Sequence, residues 1–143
     1  MAETTESKTP QTWAELARQE WFTGIPQLVE PKDMTVAQSA AFEVTRQRVA
    51  ERSAKLENIG FFKKPGERGD EWDEGEATLL LAEIVEYSDL YFRTLAQTDK
   101  AWDEWAKGRT LFNLYVTFSQ LLFFYADALG KSSDSKTPSK NAE

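Results

Sequence analysis

The sequence predicts an all-α fold, a compact bundle of about five helices with a disordered tail at each end. Three observations carry that expectation. Apolar residues recur at three- and four-residue spacing through most of the chain, while alternating strand patterns are nearly absent. Thr-x-x-Glu/Gln and Thr/Asp signals open the periodic stretches, and Gly closes them. Polar, Ser/Lys/Asp-rich segments flank the whole. The 143 residues suit one domain, able to bury about two-thirds of the unfolded chain's surface. Residues 1–11 read as a disordered N-terminal tail, 12–130 as the all-helical domain, and 131–143 as a disordered polar tail.

The first helix is expected from Thr12, where Thr12 and Glu15 form a capping box and Trp13, Leu16, Ala17 and Trp21 follow before Gly24 and Pro26. Ile25–Met34 reads as an ordered loop. The second helix has the clearest limits, a Thr35/Gln38 capping box at its start and Gly60 just past its end. Phe42, Val49, Leu56 and Ile59 mark a narrow apolar stripe on it, supported by Val36, Ala40 and Val44. Phe61–Gly75 forms a loop. The third helix runs over Glu76–Ala96 with a broad apolar face, including Leu79, Leu80, Ile84, Leu90 and Tyr91. A short fourth helix begins at Thr98 or Asp99 and ends at Lys107–Gly108. Thr110 caps the fifth, and Gly130 ends it.

Composition removes most chemistry. There is no His and no Cys, so the commonest general base, disulfides and thiolate metal sites are excluded. No phosphate-cradling or nucleophile-elbow motif occurs. Net charge is −7 with a pI near 4.8, and no basic cluster offers itself to phosphate. The expectation is a non-enzyme with no cofactor, no metal and no nucleic-acid partner. The acidic run Asp70-Glu71-Trp72-Asp73-Glu74-Gly75-Glu76 has carboxylates for Mg²⁺ or Ca²⁺ but not the alternate spacing of an EF-hand. Acids ahead of a helix satisfy its free N–H groups, and that role is preferred.

One segment stands apart. Thr110–Leu129 holds four Phe, two Tyr and five Leu in 20 residues. Its uncharged part, Thr110–Ala126, is only 17 residues long and is interrupted by Asn113, Thr117, Ser119 and Gln120, which argues against a membrane span. Leu111, Leu114, Tyr115, Phe118, Leu121, Leu122, Tyr125 and Leu129 form one helical seam. Phe112, Val116, Phe123 and Phe124 fall off it and need another cover, either a partner or a second copy of the chain. Trp102 and Trp105, three apart, are either core plugs or interface anchors. The candidate partner-binding residues are therefore Trp102, Trp105, Phe112, Val116, Phe123 and Phe124.

The stretch Trp102–Gly108 (WDEWAKG), followed by the aromatic helix and Tyr125-Ala-Asp-Ala-Leu-Gly-Lys-Ser-Ser-Asp-Ser135, resembles the tail assembly chaperones of long-tailed bacteriophages, particularly of actinobacterial hosts. The likeness covers mainly Thr98–Glu143. It implies a protein that binds the tape measure protein, with the tail tube protein as a further partner, in the host cytoplasm and absent from the mature virion. It implies self-assembly, and a ribosomal slip at Gly130–Lys131 that makes a longer second product. A competing expectation is a small acidic helical inhibitor or adaptor that uses the Glu67–Glu76 loop against a basic surface of a host protein.

Overall fold

The computed structural model describes residues 9–135. Five helices are present, α1 Trp13–Ala17, α2 Val36–Ile59, α3 Glu74–Phe92, α4 Asp99–Ala106 and α5 Leu111–Ser135, with 3-10 turns between them and no strand among the described residues. The all-α fold class holds. Of the expected tails at 1–11 and 131–143, residues 1–8 and 136–143 lie outside the described residues.

Local chemistry sets most helix limits. Thr35 and Gln38 form a reciprocal capping box, with Gln38 N–H donating to Thr35 Oγ1 at 3.1 Å and Thr35 N–H donating to Gln38 Oε1 at 2.9 Å. At the other end of α2, Gly60 takes φ +97°. Its N–H donates to Glu57 O and the Phe61 N–H to Leu56 O, the doubly bonded left-handed ending that favours Gly. Thr98 and Thr110 cap α4 and α5 through Ala101 and Asn113 N–H groups. Asp73, rather than a residue near Glu76, caps α3, accepting from Glu76 N–H at 3.0 Å. The helix therefore starts inside the expected loop.

Three further limits differ from expectation. At α1, Glu15 reaches the Gln11 N–H instead of completing the box with Thr12, and the helix stops at Ala17 before a 3-10 turn at Glu20–Phe22. Leu16 and Phe22 are both fully buried, yet on one continuous helix they would stand about 120° apart, so the break brings both inward. α3 gives way at Phe92 to a 3-10 turn over Arg93–Leu95. α5 runs through Gly130 to Ser135, past the expected domain boundary. A Gly inside a helix costs only about 1 kcal/mol, and the next Pro is not reached until Pro138.

The long helices α2, α3 and α5 form the body of the bundle. Leu56 and Ile59 pack with Ala77, Leu80 and Leu81, whereas Phe42 meets Tyr91 and Phe92, so α2 and α3 are antiparallel. Leu111 and Tyr115 join the former group and Tyr125 the latter, making α5 parallel to α3. That parallel return needs a crossover, supplied by Arg93–Leu95 and α4. Two apolar clusters result. A large aromatic one is closed over by α1, the 20–34 segment and α4. A smaller aliphatic one lies at the α2–α3 turn.

The apolar faces are narrower than the sequence spacing implies. Val36, Val44, Leu79 and Leu90 are exposed, because their sides of α2 and α3 face away from the bundle. No helix among the described residues is long and apolar enough to cross a membrane.

Candidate functional site

The residues singled out around α4 and α5 separate into two groups. Trp102 and Trp105 are buried, at 0% and 8% exposure, and so is Phe124. Trp102 Nε1–H donates to Asp89 Oδ1 at 2.6 Å and Trp105 Nε1–H to Thr23 O at 3.1 Å. Trp102 stacks on Phe118 with centroids 5.7 Å apart, and Phe124 packs edge-on under Trp13 at 6.5 Å. These three are core residues. Their indole and ring surfaces are consumed by the fold, which corrects their candidacy as partner contacts.

Phe112 and Phe123 stay exposed, at 59% and 56%, with Val116 half-buried between them. At 100° per residue the three fall on one side of α5, over a length of about 16 Å. Ser119 and Gln120 share that side, and it carries no charge until Asp127.

The structure adds residues that periodicity placed only in a loop. Phe61 meets Phe62 at 5.1 Å and Tyr115 at 5.9 Å, and Tyr115 meets Phe112 at 6.3 Å. The chain of rings Phe62–Phe61–Tyr115–Phe112 continues the α5 stripe around the end of the bundle, and Phe62 is 58% exposed. For Phe61 a local signal was legible: the residue after a left-handed Gly ending commonly makes a hydrophobic contact back to its helix. The loop beyond it is fixed by Arg68, whose Nε and guanidinium N–H groups donate to Gly60 O and Phe61 O at 3.0 Å each. The same guanidinium lies 3.8 Å above the Trp72 ring. Trp72 is thus half-buried beneath Arg68, and Asp73 is spent as a helix cap.

The polar interruptions of α5 also have partners. Arg109 bridges α4 and α5, donating to Trp105 O at 3.2 Å, Trp21 O at 3.4 Å and Asn113 Oδ1 at 3.1 Å. It lies over the Trp105 ring, and burial pulls its pKa down. Buried Thr117 donates to the same Asn113 oxygen at 3.4 Å. Elsewhere, Tyr125 donates to Val29 O and Tyr91 to Gln38 O, each at 2.6 Å, tying the 20–34 segment and α2 to the aromatic cluster. Burial pushes the Tyr91 hydroxyl up to about 12 and raises that of Tyr125 as well. Every one of these groups holds the fold together.

Among the described residues no group of His, Cys, Asp or Glu is placed to hold a metal ion. Gly130 and Lys131 lie within the last turns of α5. Set against models of known protein families, curated proteins and solved structures, the chain matches none.

Proposed function

We propose that this protein is a non-enzymatic binding chaperone of phage tail assembly, holding the tape measure protein through the apolar stripe of α5. The observation that carries the reading is the uncharged run of Phe112, Val116 and Phe123, extended by Phe61 and Phe62, which brings exposed aromatic rings together where other exposed apolar residues such as Val36, Val44 and Leu79 are aliphatic. Two exposed Phe rings on one helix face, aligned over three turns, match the spacing with which a client helix presents its own anchors. Burying each such ring is worth about 1.5–3 kcal/mol. Together they are enough for reversible capture of an apolar helix. When no client is present, the same stripe would cover itself against a second copy of the chain. The tail tube protein would be met by the longer product, beyond Lys131.

The test is co-expression with the tape measure protein encoded in the same genome. The wild-type chain is expected to keep it soluble and to co-purify with it, and the Phe112→Ser/Phe123→Ser variant to lose both. Equal solubility with the variant would defeat the reading. The gene supplies an independent check, since a slippery heptamer across codons 130–132 with an overlapping downstream frame is expected.

A further inference from the structure

A second surface lies on the other side of α5. Ala82, Val85, Ala106, Leu111, Leu114 and Phe118, from α3, α4 and α5, floor an open groove of about 510 Å³. The volume falls in the range of formed ligand sites, about 300–1,000 Å³. Its length follows from its walls. Ala82 to Asp89 on α3 and Leu111 to Phe118 on α5 each span about 10 Å, two helical turns. A floor of that length matches the i, i+4, i+7 side chains of one docked helix.

The rim says which helix. Glu86, Asp89 and Asp103 edge the groove, with Lys107 at one corner. Arg93 lies between Asp89 at 3.2 Å, Asp103 at 2.7 Å and Asp99 at 3.7 Å, and Lys107 pairs with Glu104 at 3.1 Å. The lining itself carries the three carboxylates Glu86, Asp89 and Asp103 against Lys107, and Arg93 offsets part of the charge of Asp89 and Asp103. Glu86 has no ion-pair partner among the described residues and is exposed beside half-buried Val85. An apolar floor under a negative rim is complementary to an amphipathic helix whose apolar face is flanked by Lys or Arg.

We infer that the α3–α4–α5 groove is a docking site for a basic amphipathic helix of a partner protein. It is separate from the α5 stripe. On a helical projection the Leu111, Leu114 and Phe118 face is centred about 150° from the Phe112, Val116 and Phe123 face, so one helix cannot occupy both. The inference stands independently of the chaperone reading.

The probe is an 18-residue synthetic helix with Leu at i, i+3/i+4, i+7 spacing and Lys elsewhere, beside a counterpart carrying Glu in place of Lys. Titration into the full chain, followed by calorimetry and by methyl NMR shifts, is expected to show 1:1 binding of the Lys peptide alone. The shifts are expected at Val85, Leu111 and Leu114. Glu86→Lys is expected to weaken binding about tenfold, the size of one lost close charge contact. Glu57→Lys on α2 carries the same change of charge at a position outside the groove and is expected to leave the affinity almost unchanged. Ala82→Trp fills the groove and abolishes binding, with a thermal melt to show that the variant folds. Equal weakening by Glu86→Lys and Glu57→Lys would mean general attraction to an acidic protein and would overturn the inference. So would shifts clustered on the α5 stripe, or loss of binding in Phe112→Ser/Phe123→Ser. That last variant, expected to be silent here, is the one that breaks the chaperone reading, so the two ideas fail separately.

Discussion

The two ends of the bundle are built from similar residues and solve different problems. At one end, Trp102, Phe118, Tyr125, Phe42 and Phe92 interlock with α1, α4 and the 20–34 segment wrapped over them. Each polar tip in that cluster has a carbonyl or carboxylate partner. At the other, Leu56, Ile59, Ala77, Leu80, Leu81 and Ile84 make a small aliphatic cluster, covered by partly buried Phe61 and Trp72 of the α2–α3 loop and by Leu111 and Tyr115 of α5. The aromatic rings there, Phe61, Phe62, Tyr115 and Phe112, line the outside of the cluster and remain partly in water. Aromatic residues cost little conformational entropy to present, and they gain most when fully desolvated. Left half-covered, they bring the fold less than the fully buried rings of the other end.

The sharpest break in this contrast should come at the covered end. Trp102→Ala removes a fully buried indole and its hydrogen bond to Asp89, which keeps Arg93 as a partner, and about 3–5 kcal/mol of stability is expected to go, read by denaturant midpoint. Leu56→Ala at the open end is also a buried truncation. Its smaller cluster can relax toward solvent, so about 2–3 kcal/mol is expected, the low side of such changes. A larger loss from Leu56→Ala than from Trp102→Ala would reverse the ranking of the two ends.

Alkaline pH acts on both ends, since burial also raises Tyr115 at the open one, but its larger effect falls on Tyr91 and Tyr125. Tyr91 and Tyr125 hold their protons above the ordinary tyrosine pKa because burial disfavours the phenolate. The unfolded chain then loses those protons first. The stability they confer is complete below about pH 10 and declines as pH rises from there to about 12. In an alkaline titration, amide-exchange protection is expected to fail first where Tyr125 anchors Val29 and Tyr91 anchors Gln38. Earlier loss at Leu56–Leu80 would contradict that.

The smallest expected effect on stability is the most informative about function. Phe112→Ser/Phe123→Ser changes only exposed rings and should alter the denaturation midpoint by about 0.5 kcal/mol or less. If client binding falls while stability holds, the open surface is a binding surface. Should the melt collapse instead, those rings belong to the fold.

Much of the secondary structure was legible because its causes are local. The Thr35–Gln38 box, the Gly60 ending, and the Thr98 and Thr110 caps each close within about five residues. Gly130 misled for the same reason: a left-handed Gly ending is a preference, and nothing downstream enforced it. The seam of α5 was also legible, with Phe118, Leu121, Leu122 and Tyr125 all buried. Phe124 was not, since its cover is Trp13, 111 residues earlier in the chain. Phe62 was missed because a residue in a loop has no periodicity to read.

The sequence by itself determined the helical class, most helix boundaries and the excess of aromatic surface, through hydrogen bonds and spacings that close within a turn. Tertiary structure alone decided which aromatics are core and which are surface. A helical repeat marks the faces of a helix, but long-range packing chooses which of them is covered, and here it buried both α4 tryptophans while leaving Phe112 and Phe123 in water.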